Sequence, residues 1–68
     1  MKLSARNQLK GTVKEIKEGV VTAEIIIDIG GGNMISSIIS KDSIESLGIK
    51  NGDEATAVIK ATSVMVMA

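Results

Sequence analysis

The sequence predicts a single all-β domain, and three observations lead to this prediction. The chain has 68 residues, which is the length of one domain, so residues 1–68 are treated as one unit. Residues 20–29 (VVTAEIIIDI) place apolar side chains at every second position, which is the period of a strand. Glycine-containing turns separate this run from other short runs that are rich in β-branched residues.

The N-terminal half of the chain is expected to form three strands. The first covers residues 9–17, where Gly11 predicts a bend or a bulge, and the second covers residues 20–29. A turn that tolerates positive φ follows at residues 30–33 (GGGN), and the third strand covers residues 34–39. One face of the second strand is apolar throughout: Val21, Ala23, Ile25, Ile27 and Ile29.

A short helix is predicted after the third strand. Ser40 is a candidate N-cap, Asp42 lies in the first turn, and Gly48 is a candidate residue for the left-handed stop. Ile44 and Leu47 are three residues apart and are expected to share a buried face. These signals predict one or two helical turns.

The C-terminal part is expected to add two more strands. A turn at Asn51-Gly52 precedes a fourth strand over residues 54–61, and a short fifth strand covers residues 64–67. This order predicts a five-stranded OB-like barrel with a short helix between strands 3 and 4. A small open sandwich is the competing architecture, and open sheet edges would favour pairing between subunits.

The composition excludes several kinds of site. The chain has no Cys and no His, so it can form neither a disulfide nor a Cys/His metal site, and no residue is expected to ligate a metal cation directly. None of its serines has an evident catalytic base, so the protein is not expected to be an enzyme. A domain of this size is marginally stable alone, which makes oligomerisation the expected support.

The sequence indicates a cytoplasmic protein that contacts no membrane. It contains no apolar run of the roughly 18 residues that a membrane span requires. Residues 1–6 lack the apolar stretch of a signal peptide. Eight basic and eight acidic residues cancel, so no overall field attracts nucleic acid or an anionic membrane.

Several polar residues have the chemistry to bind a small oxyanion. Arg6, the only arginine, offers a rigid fork of donors, and Ser4 adds a hydroxyl beside it. Ser40 and Ser43 stand at the start of the predicted helix, where free N–H groups suit an anion, and Lys60 adds a charge on an apolar strand. Each residue also has an ordinary role as a surface cation, a cap or a lysine that extends to water, so both interpretations stay open.

Three segments resemble the Mop family, also called molbindins. They are "SARNQLKG" at residues 4–11, "IISKDSIESLG" at 38–48 and "VIKATSVMV" at 58–66, and the resemblance covers essentially the whole chain in order. Members of this family are small cytoplasmic molybdate-binding proteins, and the same domain occurs in molybdate-responsive regulators and in some molybdate-transporter ATPases. The resemblance implies an OB-like barrel, subunits paired by strand exchange, and a hexamer built as a trimer of dimers.

The resemblance also assigns candidate binding residues at the subunit interfaces. From one subunit, N-terminal residues would face the anion: Ser4, Ala5 and Arg6. From its partner, residues at the helix start and near the fourth strand would face it: Ser40, Ser43, Lys60 and, through its backbone, Ala61.

The function that the resemblance implies is storage or buffering of molybdate or tungstate in the cytoplasm. No bond is made or broken in such binding. One alternative is an OB-type nucleic-acid-binding module, although the chain lacks the aromatic side chains on which bases stack. The other alternative is a binder of another tetrahedral oxyanion such as sulfate.

Overall fold

The computed structural model describes residues 5–68, in which antiparallel strands form one sheet with a short helix packed against it. β1 is the longest strand, with twelve residues, because it pairs with one neighbour through its first half and with another through its second half. The elements in chain order are β1 (Asn7–Glu18), β2 (Thr22–Gly30), β3 (Asn33–Ser40), α1 (Lys41–Leu47), β4 (Glu54–Ile59) and a 3₁₀ turn (Ala61–Ser63).

The strand order in the sheet is β3-β2-β1-β4, so β1 is hydrogen-bonded on both sides. Its first half pairs with β4, from Asn7 opposite Ile59 to Thr12 opposite Glu54. Its second half continues along β2 to the pair of Glu18 and Ala23. The strands β3 and β4 are the two free edges of the sheet.

The irregularity expected at Gly11 lies elsewhere in β1. The register with β2 shifts between Val13 and Glu15, which places the bulge at Lys14. Gly11 instead meets the backbone of β2, because a Cβ atom at this position would overlap the carbonyl oxygen of Asp28. A glycine inside a strand can mark either a bulge or a close backbone approach, and here it marks the approach.

The glycine-rich turn and the strands beside it follow the prediction closely. Gly30, Gly31 and Gly32 all have positive φ, at 91°, 63° and 79°, and connect β2 to β3. The predicted start of the second strand is wrong, because Val20 and Val21 precede β2 and Val21 is 72% exposed. The backbone N–H of Gly19 donates to the carbonyl of Thr22, so both valines lie within the connection.

The predicted helix is present with both of its caps. Ser40 Oγ accepts the backbone N–H of Ser43 at 3.0 Å, and Gly48 stops the helix with φ of 66°. Ile44 is buried, but Leu47 is 66% exposed, so the expectation that they share a buried face is wrong. Leu47 lies in the last turn and borders an open cleft in the sheet, where it lacks a covering element among the described residues.

The C-terminal strand predictions are only partly correct. The fourth strand ends at Ile59, since Ala61 already belongs to the 3₁₀ turn. Within residues 5–68 the sheet has four strands, and residues 64–67 form no strand. A strand requires a neighbouring ladder, and this segment pairs with no strand of the described chain, so Met65, Val66 and Met67 are at least 90% exposed.

The sheet is therefore a curled half-barrel, and the five-stranded OB-like barrel that the sequence predicts is present only in part, with four strands among residues 5–68. Its core is aliphatic and consists of Val13, Ala23, Ile25, Ile27, Ile44 and Ala57. The two edge strands both line one apolar cleft of about 360 Å³, whose floor includes Ile25 and Ile27. A closed barrel would place a further strand between β3 and β4, where this cleft lies.

We expect Gly11→Ala to lower the free energy of unfolding by about 1–3 kcal/mol, because the added methyl group would push β1 away from the Asp28 carbonyl. Urea denaturation at fixed protein concentration measures this change. Lys17→Ala, at an exposed position of the same strand without an ion pair among residues 5–68, is the control and should change the free energy by less than about 0.5 kcal/mol. Equal effects of the two substitutions would contradict the close approach.

Candidate anion-binding site

The start of β1 and the end of β4 bring two cationic residues to the same end of the sheet. Asn7 pairs with Ile59 in the antiparallel ladder, so Arg6 and Lys60 are the next residues on the two strands. Both are exposed. Among residues 5–68 neither forms an ion pair, whereas Lys10 is paired with Glu54 at 2.7 Å. The two positive charges are thus available to an anion.

The backbone on either side of these cations is held by local hydrogen bonds. The side chain of Gln8 donates to the carbonyl of Ala5 at 3.5 Å, which is a long hydrogen bond, and Ala5 is half-buried. On the other strand, the N–H of Ser63 donates to the carbonyl of Lys60 at 2.8 Å and closes the 3₁₀ turn. Ala61 begins this turn and is exposed.

Ser40 and Ser43 form a second polar group at the start of α1. Their hydroxyl oxygens lie 2.7 Å apart, so one hydroxyl donates to the other. Ser40 Oγ also accepts the N–H of Ser43, which satisfies one of the free donors at the helix start. One hydroxyl hydrogen of the pair remains to be donated to a ligand.

The register separates these two groups within one chain. Ser40 pairs with Thr22 at the start of β2, and the adjoining residue Ala23 pairs with Glu18 at the end of β1. Arg6 precedes the other end of the twelve-residue β1. Along β1 the register therefore places Arg6 and Lys60 at one end and Ser40 and Ser43 towards the other. Across the curled sheet, Ile39 and Ile59, which precede Ser40 and Lys60, line the same cleft.

The remaining candidate residue, Ser4, lies outside the described residues. The division of the site between two subunits stays a prediction, since the structure contains one chain. Residues 5–68 contain no group of three or more acidic residues that could hold a metal ion. The same part of the chain has no helix long and apolar enough to cross a membrane.

Sequence reasoning missed one residue beside the cations. The side-chain Nδ2 of Asn7 donates to the carbonyl of Ile59 at 3.3 Å, and Asn7 is half-buried. The quoted segment "SARNQLKG" contains this asparagine, but its partner lies 52 residues away. Only the pairing of β1 with β4 reveals the contact.

The fold and the polar groups at its ends belong to a known class of small domain. Residues 3–66 match the TOBE domain family, which covers almost the whole chain. The protein is therefore a TOBE domain.

Relatives place the chain more narrowly. It is 62% identical over all 68 residues to "Molybdenum-pterin-binding protein 1" of Clostridium pasteurianum, with both chains fully covered. It is also 41% identical over 64 residues to "Molybdenum transport protein ModE" of Herbaspirillum seropedicae. That match covers 94% of this chain and 24% of the relative. The chain belongs to the Mop family, whose domain ModE shares.

Solved structures agree with this assignment. MopII from Clostridium pasteurianum, in an apo form, has a TM-score of 0.91 and 61% identity, and the match covers 98% of this chain and all of MopII. ModG, described as a cytoplasmic molybdate-binding protein and crystallised with molybdate bound, has a TM-score of 0.86 and 49% identity. That match covers 90% of this chain and 43% of ModG.

We expect Ser40→Ala to lower the free energy of unfolding by about 1 kcal/mol, because the Ser43 N–H loses its capping acceptor. Ser43→Ala is the matched comparison and should cost less, since its backbone N–H keeps Ser40 Oγ as partner. Chemical denaturation without added anion measures both. Equal losses would show that the hydroxyl pair, and not the cap, stabilises the helix.

Proposed function

We propose that this protein binds and stores molybdate, or tungstate, reversibly and without chemical change. The observation that carries the proposal is that Arg6 and Lys60 flank one end of the β1·β4 ladder and that neither is neutralised by an ion pair within residues 5–68. It is supported by relatives named as molybdenum-pterin-binding proteins and by the molybdate-bound structure of ModG.

The donor set suits a tetrahedral dianion. The two cations match its two charges, and the guanidinium of Arg6 offers parallel N–H donors to two oxygens. The serine pair supplies a neutral hydroxyl donor. An anion that leaves water must have its oxygens satisfied by such donors. The donors that we propose come from residues next to different elements of the fold.

We further propose that the anion site is completed between copies of the chain. In the register of one chain, Arg6 precedes the start of β1 whereas Ser40 and Ser43 lie beyond its far end, and a second copy would supply Ser40 and Ser43 to Arg6. For each anion we assign Ser4, Ala5 and Arg6 to one copy, and Ser40, Ser43, Lys60 and Ala61 to its partner, so the Lys60 next to a given Arg6 in the same chain serves a neighbouring site. The assembly proposed is a hexamer formed as a trimer of dimers.

The open half-barrel supports pairing by strand exchange. The cleft between β3 and β4 is apolar and has the two free sheet edges on its sides. The C-terminal segment, residues 64–68, is apolar, and its side chains are exposed instead of packing on the sheet of their own chain. We infer that this segment of a second copy fills the cleft as the fifth strand, which satisfies both the cleft and the free edges.

Anion binding and assembly are then thermodynamically linked. A ligand that binds only the assembled form stabilises that form by mass action. Storage in the cytoplasm, with no catalytic step, is the role that we propose, and it matches the description of ModG as a cytoplasmic protein. None of the relatives reported above is named for binding nucleic acid, so we do not favour that alternative.

We expect Arg6→Ala to weaken molybdate binding by about 2–5 kcal/mol, because the anion loses a charge-assisted contact. Calorimetric titration measures the affinity. Lys14→Ala removes a positive charge from the exposed bulge of β1 and is the control, which should bind as the unchanged protein does. Equal affinities of Arg6→Ala and the unchanged protein would refute the site.

The same titration with sulfate and tungstate tests the class of oxyanion. We expect sulfate, which has the same charge and shape but is smaller, to bind more weakly than molybdate. Tighter binding of sulfate would overturn molybdate as the stored anion in favour of the alternative given by the sequence.

We expect the protein to sediment as an oligomer. We also expect one of two substitutions in the C-terminal segment to dissociate this oligomer. In an extended segment, Met65 and Val66 point to opposite faces, so only one of them would face the partner's cleft. Met65→Asp and Val66→Asp should therefore differ, one giving smaller species in sedimentation velocity. Asn51→Asp, in the exposed turn before β4, adds the same charge away from the tail and is the control. Retention of the full assembly by both tail variants would exclude this segment as the exchanged strand.

A further inference from the structure

Asn7 makes a side-chain contact between β1 and β4 at the end of the ladder next to the two cations. Its Nδ2 donates to the carbonyl of Ile59 at 3.3 Å, in addition to the backbone pairing of these two residues. Asn7 is the first residue of β1 and Ile59 is the last residue of β4. The bond thus closes the ladder at the point where Arg6 and Lys60 leave it.

This end of the ladder needs such a contact more than the other end does. At the far end, the N–H of Val13 donates to the backbone carbonyl of Asp53, and the N–H of Gly52 donates to the carbonyl of Val13, both at 2.8 Å. These two backbone bonds anchor the loop that precedes β4. At the near end, the side-chain amide of Asn7 donates a hydrogen bond across the two strands to the carbonyl of Ile59. Ends of ladders open most readily, so a bond there limits fraying.

Fraying at this point would be costly for an anion site. Arg6 and Lys60 are long, exposed side chains with no ion-pair partner among residues 5–68. Each loses considerable rotamer freedom when it binds a ligand. If the backbone of these two residues also has to become ordered on binding, the entropy loss weakens the affinity for the anion further.

Resting on the proposed molybdate function, we propose that Asn7 is a positioning residue for the anion site. Its side-chain bond to Ile59 holds the backbones of Arg6 and Lys60 in register, and it acts on affinity through those two cations. Asn7 itself need not touch the anion.

The first test compares the affinity of Asn7 variants for molybdate by calorimetry. Asn7→Ala should lower the affinity about tenfold, which corresponds to the loss of one hydrogen bond. Asn7→Asp keeps the size of the side chain but cannot donate, and its negative charge lies beside both cations, so it should bind more weakly still. Asn51→Ala removes an exposed asparagine at the other end of the ladder and should bind normally.

A second measurement separates positioning from a general structural role. Thermal unfolding without anion reports stability alone, and a purely structural Asn7 would lower the melting temperature while the folded protein kept its affinity. A variant of Asn7 with lower affinity and a helix and sheet content unchanged by circular dichroism supports positioning. If Asn7→Ala does not fold, Asn7→Leu, which is neutral and similar in size but cannot donate, takes its place in every comparison.

A double-mutant cycle tests the route through the cations. In a Lys60→Gln background, measured at millimolar molybdate, the further loss caused by Asn7→Ala should shrink to less than about threefold, because one of the positioned groups is gone. Full additivity of the two substitutions, or an unchanged affinity of Asn7→Ala, overturns the proposal.

The outcome is distinguishable from failure of the function itself. If the unchanged protein binds no molybdate, the proposed function fails. If it binds molybdate and Arg6→Ala weakens binding, but the Asn7 variants bind normally, the function stands and the positioning role of Asn7 is wrong.

Discussion

β1 is hydrogen-bonded along both edges, to β4 through its first half and to β2 through its second half. Its course therefore determines where every other strand lies. Gly11 lets β1 approach the Asp28 carbonyl of β2, and the bulge at Lys14 changes the register beyond that point. Curling of the sheet brings the edge strands β3 and β4 to the two sides of one apolar cleft.

The same arrangement connects assembly with ligand chemistry. A half-barrel with free edges, an apolar cleft and an apolar tail is incomplete as a single chain. In the anion site that we propose, Arg6 of one copy likewise needs the serines and Lys60 of another. A second copy would satisfy both requirements at once, and this makes the protein's small size compatible with a stable anion site.

Much of the candidate site could be recognised by residue type. Ser40 was predicted as an N-cap, and it accepts the Ser43 N–H as expected. Arg6 stood out as the only arginine, and Lys60 as a charge on an apolar strand. Their placement at one end of the sheet could not be predicted, because it depends on a strand pairing across 52 residues. For the same reason the sequence did not reveal the role of Asn7.

The sequence by itself determined the local elements of this protein: the alternating strands, the turn of three positive-φ glycines, and the short helix with its serine and glycine caps. These depend on interactions between residues close in the chain, so residue types specify them. Only the tertiary structure decided the bulge at Lys14, the exposure of Val21 and Leu47, and the absence of a fifth strand within residues 5–68. A strand exists only where another strand completes its ladder, and burial requires a covering surface, so neither can be read from a local pattern.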